Sequence, residues 1–279
     1  MADNIIFEFE KEGESIILDG SPFGILDYSG LEATDYNLNL QANVNGDGEI
    51  LKRKSILSRE IMVEFDYLDW NISQMRQKLI RFFSPYSPGT LYVTYLDVKR
   101  RIEYEVSSFR INSKNMYEEL SCLVYIRCLD PSFKSEDNLG ALITTLIGGW
   151  KWPFTLPFKM KQYGPLKKNI FNRGYMPAPI EIHFKGPAVN PKIINHRTGE
   201  YVRVKKELTS DDTLYINTAF RQKKVEIIKD GVRESAWDYL DLSSSFFWLR
   251  PGDNMIEYST DSGISNGVEI FYRERYPGI

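Results

Sequence analysis

Hydrophobic and polar residues alternate along much of the first half of the chain, which is the period of a strand with one buried face. The pattern predicts half-buried strands over Ile5–Glu10, Tyr36–Ala42, Ile61–Tyr67 and Thr90–Tyr95. Two further runs, Ile102–Phe109 and Glu119–Leu129, are predicted to pair across a turn near residues 112–115. The first half is therefore predicted to be mainly antiparallel sheet.

One segment has the period of a helix instead. Its apolar positions are Ile72, Met75, Leu79 and Phe82 or Phe83, with polar residues on the opposite side. Asp69 or Asn71 can cap its start, and Pro85 ends it. The pattern predicts one amphipathic helix of about three turns on the first sheet. Core packing is its simpler role, and a contact within an assembly is the alternative.

Turn residues punctuate the second half. Pro251-Gly252 suits a type II turn and is flanked by two predicted strands within Ser244–Tyr258. Asp230-Gly231 favours a type I′ hairpin between Lys224–Lys229 and Val232–Glu234, and His196–Glu200 forms another hairpin turn. Roughly eight or nine short strands in this region predict a sandwich of two sheets.

An ordered set of these turn and strand residues carries a family resemblance. The set comprises Gly174–Gly186, Asn190–Asn195, Thr198-Gly199, the Leu249-x-Pro251-Gly252-x-Asn254 pattern and Val268–Arg273. This order resembles the distal tail proteins of long-tailed bacteriophages, the siphovirus-type tail component family. The resemblance is dense from Asn172 to Ile279 and looser before it.

The resemblance implies a structural virion protein without enzymatic activity, located at the tail tip and made in the cytoplasm of the host bacterium. It implies a homohexameric hub ring that joins the tail tube to the baseplate or tail tip. The implied partners are the tail tube protein, the tape measure protein, the tail-associated hub protein and receptor-binding proteins. The alternative is a carbohydrate-binding, lectin-like module, for which Asn195-His196-Arg197 and Trp237 supply candidate side chains.

The chain has 279 residues and is predicted to contain two domains, because single hydrophobic cores rarely grow beyond ~250 residues. We predict an N-terminal ring-forming β domain at 1–138, a crossing segment at 139–173 and a galectin-like β-sandwich at 174–279. The aromatic cluster Trp150–Phe154 is expected to cover a surface between the domains. The predicted fold class is thus mainly β, an N-terminal β domain with one amphipathic helix plus the galectin-like sandwich. The sequence leaves open whether Tyr276–Ile279 returns to the first domain.

The charge and hydropathy of the chain bear on two classes of partner, nucleic acids and membranes. The formal net charge is −3, which predicts no attraction to nucleic acid or to anionic lipid. The start of the chain lacks the features of a signal peptide, and the longest apolar run, Leu139–Trp150, falls short of the ~20 residues that cross a bilayer. We therefore expect no membrane and no specific nucleic-acid partner.

Four candidate chemical motifs fail on their own requirements. Gly263–Gly267 matches a nucleophile elbow by letters, but a strand is predicted to follow Ser265 and no histidine lies beyond it. Asn43–Gly48 begins like a calcium loop, but Lys54 stands where the bidentate Glu belongs. The spacings of Cys122, Cys128, His183 and His196 fit no usual zinc site. Asp211-Asp212, Asp238 and Asp241 are predicted to be turn and loop residues.

The two cysteines fall on one predicted strand and the same face, about 20 Å apart, so we expect two free thiols. We predict no catalytic, cofactor-binding or metal site, and no cofactor. Strand edges are the predicted means of assembly. Tyr36–Ala42 and Ile61–Tyr67 are the candidates that a neighbouring copy would complete.

Overall fold

The computed structural model describes residues 5–33, 35–43, 46–111, 120–143, 146–147, 162–163, 167–261 and 267–279. The chain forms two compact units, Met1–Glu136 together with Tyr276–Ile279, and Asp137–Arg275. The last four residues therefore belong to the first unit, although the predicted 174–279 domain had included them. The predicted crossing segment 139–173 is grouped with the second unit.

The first unit is a sheet with one helix. Its elements are β1 (Ile5–Lys11), β2 (Glu14–Leu18), β3 (Phe23–Ser29), β4 (Tyr36–Ala42), β5 (Glu49–Ile56), β6 (Arg59–Tyr67), α1 (Ile72–Phe82), β7 (Gly89–Tyr95), β8 (Val98–Ile111), β9 (Leu120–Cys128) and β10 (Phe133–Ser135). The strands run in the order β2-β1-β7-β8-β9-β6-β3, with antiparallel pairing, and β10 lies beside β8. The mainly β prediction and the β8–β9 pairing are confirmed.

The predicted amphipathic helix is confirmed as α1. It begins after Asn71 and ends before Phe83, and Leu79 and Phe82 are buried. Phe83 then stacks on Phe109 of β8 with ring centroids 4.9 Å apart. Aromatic contacts thus fix the end of the helix on the sheet.

The second unit holds two main sheets. Its strands are β11 (Leu139–Ile143), β12 (Leu146–Ile147), β13 (Gln162–Tyr163), β14 (Lys167–Asn172), β15 (Ile180–Lys185), β16 (Ala188–Val189), β17 (Lys192–Asn195), β18 (Tyr201–Arg203), β19 (Glu207–Leu208), β20 (Asp212–Asn217), β21 (Lys224–Lys229), β22 (Val232–Ser235), β23 (Gly252–Ser259) and β24 (Val268–Tyr272), and β25 (Arg275–Tyr276) follows. One sheet has the order β11-β24-β15-β20-β21-β22, and the other β14-β23-β17-β18.

Both sheets of the second unit contribute to one core. Phe184 of the six-stranded sheet meets Tyr258 of the four-stranded sheet edge to face, with ring centroids 5.4 Å apart. Two facing sheets around a shared core are a sandwich. The galectin-like assignment of this sandwich stays a prediction.

The two hairpin turns are confirmed. Asp230 and Gly231 both have positive φ, 49° and 80°, as a type I′ turn requires. The strand predicted before Pro251 is wrong, because 244–249 makes only the bridge between Leu249 and Ala178. The side chain of Ser244 instead accepts a hydrogen bond from the backbone N–H of Arg203, a side-chain contact that competes with a regular ladder.

The end of the chain is bound into the first unit around a buried arginine. Arg59 is 4% exposed, and its guanidinium donates hydrogen bonds to the carbonyls of Gly30 (2.5 Å), Glu32 (2.6 Å), Pro131 (2.9 Å) and Pro277. Gly30 has a φ of +86°, and a Cβ there would lie 2.1 Å from the carbonyl oxygen of Glu60, so glycine is required. One side chain therefore joins three separate stretches of backbone, at 30–32, 131 and 277.

The second contact of this kind is made by Arg100. Its guanidinium lies 3.8 Å from the ring centroid of Tyr276 and donates to the carbonyl of Gly278. The N–H of Ile279 donates to the carbonyl of Leu31 at 3.1 Å. Residues 276–279 are thus part of the first unit's packing.

Cys122 and Cys128 are free thiols, as predicted. Both lie on the buried face of β9, and burial raises the pKa of each to about 12. They are protonated near neutral pH and serve as small core residues.

Four predictions lie wholly or partly outside the described residues. They are the turn near 112–115, the Trp150–Phe154 cluster, the Ser265 motif and the calcium-like loop at 43–48. Among the described residues, no group of three or more His, Cys, Asp or Glu could hold a metal ion. No described helix has the length and apolar character needed to cross a membrane.

Candidate functional site

Strands β4 and β5 form a hairpin that we call the exposed hairpin. Within the described part of the chain they pair only with each other. Every residue of β4 is exposed, so the prediction of a half-buried strand is wrong. The sequence does alternate there, but none of the described layers of the first unit covers the apolar side.

The register sorts the exposed hairpin into two faces. One face holds the pairs Tyr36–Ile56, Leu38–Lys54 and Leu40–Leu51, and the other, which is polar except for Ile50, holds Asn37–Ser55, Asn39–Arg53 and Gln41–Ile50. On the first face, Lys54 Nζ lies 4.1 Å from the ring centroid of Tyr36. The hairpin therefore has an apolar face and a polar face.

The apolar face is unusual for an isolated element. Leu38 is 49% exposed and Leu51 is 53% exposed. A two-stranded hairpin is marginally stable alone in water, and exposed apolar strands promote association. This face therefore offers apolar side chains that another chain could bury.

The second strand predicted to offer a free edge is paired on both sides. β6, which contains Ile61–Tyr67, lies between β9 and β3 and pairs with both. The prediction that Ile61–Tyr67 is a free edge is wrong. A half-buried period identifies a strand, but it does not say whether the strand is central or at an edge.

The Leu-x-Pro-Gly-x-Asn pattern is a turn closed by its own asparagine. Asn254 is buried, and its Oδ1 accepts a hydrogen bond from the N–H of Arg250 at 3.0 Å. Its Nδ2 donates to the carbonyls of Arg250 (2.7 Å) and Gly252 (2.9 Å). Gly252 has a φ of +87°, consistent with the predicted turn.

The separate pieces of the family pattern meet in space. Arg197, in the turn after β17, donates to the carbonyls of Pro251 (2.7 Å) and Asp253 (3.0 Å). Asn195 Nδ2 lies 3.5 Å from Asn254 Oδ1. The two turns thus brace each other, and the roles of Asn254 and Arg197 could not be seen from the spacing alone.

Substitution of Asn254 by alanine should destabilise the second unit by about 2–4 kcal/mol, because it leaves backbone groups of the turn without partners. Urea unfolding followed by hydrogen exchange in peptides of the second unit measures the loss. Gln222→Ala, which removes an exposed amide side chain elsewhere in the second unit, is the control and should change stability by less than about 0.5 kcal/mol. Equal losses in the two variants would contradict this account of the turn.

The candidate chemical residues are dispersed. Cys122 and Cys128 lie in the first unit, and both histidines lie in the second. His183 lies within β15, where its ring meets Tyr215 and Phe271 edge to face, and burial lowers its pKa. The ring of Trp237 packs against that of Phe246, with ring centroids 5.5 Å apart.

The candidate carboxylates have local roles. Asp212 Oδ2 accepts hydrogen bonds from the N–H (2.7 Å) and hydroxyl (2.8 Å) of Thr209, and these bonds lower the pKa of Asp212. Asp241 accepts from the N–H of Ser243 at 3.1 Å. Asp241 is a loop residue that stabilises a turn, as predicted. The prediction is wrong for Asp212, which is the first residue of β20, and for Asp238, which lies within a 3-10 helix at Trp237–Tyr239.

Comparison with known families bears on the second unit directly. Residues 174–276 match the model of the siphovirus-type tail component, C-terminal domain. The matched residues lie within the second unit, apart from Tyr276. The resemblance found in the sequence is therefore confirmed over the region where it is dense. No curated protein sequence matches the chain significantly.

Solved structures extend the similarity to both units. The fold is similar to that of SPP1 Dit (gp 19.1), described as a paradigm of the hub adsorption apparatus in phages that infect Gram-positive bacteria. The TM-score is 0.69 with 12% identity, over 96% of this chain and 98% of that chain. A chain of the phage P2 baseplate in its activated conformation with Ca gives a TM-score of 0.60 with 11% identity, over 99% of each chain. The same baseplate with Sr gives the same values. The residues that match the tail component model thus lie within a chain whose fold is similar to that of SPP1 Dit along nearly its whole length.

Proposed function

We propose that this chain is a structural protein of a phage tail, a distal tail protein that forms a homohexameric hub ring between the tail tube and the baseplate or tail tip. The observation that carries the proposal is the similarity of nearly the whole chain to SPP1 Dit, together with the family match of residues 174–276. The tail tube, tape measure, tail-associated hub and receptor-binding proteins are its proposed partners. The proposed location is the virion tail tip, after synthesis in the host cytoplasm.

The proposed role is mechanical and involves no enzymatic activity. Identical subunits close into a ring through repeated contacts between two different surfaces of each copy. The exposed hairpin is the proposed contact, because its apolar pairs would leave water when a neighbouring copy covers them. The formal charge of −3 suits a channel wall that does not hold DNA.

The mass of the purified chain in solution, followed by negative-stain imaging, tests the proposal. We expect six-fold rings on the order of 100 Å across, by compact-domain scaling. Monomers or dimers at all accessible concentrations that also bind glycans would favour the second candidate, a free-standing lectin-like module. That candidate draws on a surface of the second unit described below.

A further inference from the structure

The outward face of the four-stranded sheet in the second unit carries an ordered polar surface around two exposed apolar side chains. We call it the cross-strand patch, and its members are Asn169, Phe171, His196, Asp253, Met255 and Glu257. Phe171 is 52% exposed and Met255 is 42% exposed. The sequence analysis named only His196 among these residues.

Strand register places the cross-strand patch on one face. Phe171 lies opposite Asp253, and Asn169 lies opposite Met255. The N–H of His196 donates to the carbonyl of Met255 at 2.9 Å, which sets His196 beside the same strand. The intervening residues Ile170 and Ile256 point into the core. Because side chains alternate along a strand, the residues of the patch face away from the core.

The polar groups of the patch hold one another in place. Asn169 Nδ2 donates to Asp253 Oδ1 at 2.5 Å. Glu257 Oε2 contacts His196 and lies 3.1 Å from Lys167 Nζ. Burial acts to raise the pKa of Glu257, but the hydrogen bonds from His196 and Lys167 outweigh it and lower that pKa. Glu257 is therefore an ionised acceptor at neutral pH.

Acceptor capacity remains on the outward side. Among the described residues, contacts to Glu257 fall on Oε2 and the contact to Asp253 falls on Oδ1. Glu257 Oε1, Asp253 Oδ2 and Asn169 Oδ1 can therefore each accept a further hydrogen bond. Two donor side chains border the patch, since Lys167 Nζ lies 3.1 Å from Glu257 Oε2 and Arg197 donates to the backbone carbonyl of Asp253 at 3.0 Å.

We propose that the cross-strand patch is a binding site for neutral saccharides. A pyranose ring has one face of C–H groups, suited to an exposed aromatic ring, and a rim of hydroxyls that each donate and accept. Alternate residues on a strand lie about 7 Å apart and neighbouring strands about 4.8 Å apart. The patch therefore has room for one or two sugar rings, with Phe171 as the stacking platform and Asn169, Asp253 and Glu257 as acceptors.

The charges of the patch argue for a neutral ligand. Lys167 and Arg197 balance Asp253 and Glu257, whereas nucleic-acid surfaces have a net positive charge that contacts phosphates. A peptide that adds a strand would need a free sheet edge, but β23 pairs with both β14 and β17. A ligand over β23 meets side chains only, and saccharides are recognised in that way.

An array of neutral oligosaccharides of hexoses and N-acetylhexosamines, probed with the full chain, tests the proposal. Titration calorimetry with the best array ligand then compares variants. Phe171→Ala should weaken binding at least ten-fold. Phe220→Ala, which removes a 70% exposed phenylalanine elsewhere in the second unit, should bind as the unaltered chain does. Both variants should keep the melting temperature within about 2 °C.

Three outcomes would overturn the saccharide site. They are no binding to any array member at millimolar ligand, equal binding by the Phe171→Ala variant, and binding to short single-stranded DNA in place of saccharides. The measurement does not depend on ring formation, so a monomeric chain that binds saccharides refutes the hub ring and supports the site. Rings that bind no saccharide support the hub ring and overturn the saccharide site.

Discussion

A chain carrying both Leu38→Asp and Leu40→Asp is expected to remain monomeric at concentrations at which the unaltered chain forms rings. Both side chains lie on the apolar face of the exposed hairpin. Burying an unpaired carboxylate at an interface costs several kcal/mol, and cyclic symmetry repeats the cost at every contact. Because both leucines are exposed in the single chain, its own stability should change by less than about 0.5 kcal/mol per site. Mass photometry and circular dichroism provide the two measurements.

The matched control adds the same charge to the opposite face. Asn37→Asp with Asn39→Asp alters the polar face of the same strand, so this chain should assemble like the unaltered one. Assembly that survives the leucine substitutions would exclude the apolar face as the ring contact. An equal loss of ring assembly in both double variants would indicate a general effect of the added negative charge.

The second large effect is expected at Arg59. Replacing it with alanine removes the donors for four backbone carbonyls and the contact of the guanidinium with the Phe133 ring, 4.7 Å away. Burial lowers the pKa of Arg59, but arginine stays protonated in proteins, so its charge is offset only by these carbonyls and nearby acidic groups. We expect the first unit to lose about 3–5 kcal/mol of unfolding free energy.

Hydrogen exchange with peptide resolution measures this loss separately in each unit. Protection should fall in the strands of the first unit and remain in the second. The Arg59→Lys variant keeps the positive charge but lacks the planar guanidinium group, so we expect it to lose less unfolding free energy than the alanine variant does. Arg53→Ala, on the exposed hairpin, is the neutral control. A decrease in both units alike, or a loss below about 1 kcal/mol in the first, would show that Arg59 does not hold these segments together.

Local patterns in the sequence were sufficient to predict the helix and about half of the strands. The period of Ile72, Met75 and Leu79 located the helix, and Asp230-Gly231 located a hairpin, because both depend on neighbouring residues. The family resemblance came from ordered turn residues. The structure explains their spacing, since Asn254 closes its own turn and Arg197 braces it.

Properties that depend on distant residues could not be predicted. The period of Tyr36–Ala42 is the same whether its apolar side meets a core or solvent, so its exposure was missed. Ile61–Tyr67 has a similar pattern yet lies inside the sheet. No local pattern marks Arg59, because its partners lie as far as 218 residues away. The cross-strand patch joins residues from separate strands, and only His196 was near a recognisable motif.

The separation between Arg59 and Pro277 also constrains the order of events on the ribosome. The hydrogen bond between these residues cannot form until translation has passed through Asp137–Arg275, an interval of roughly 7–28 s at bacterial elongation rates of about 5–20 residues per second. During that time Arg59 has the carbonyls of Gly30, Glu32 and Pro131 within reach but not that of Pro277, and the contacts of Arg100 with Tyr276 and Gly278 cannot form. Completion of the N-terminal unit is therefore timed by synthesis of the C-terminal one.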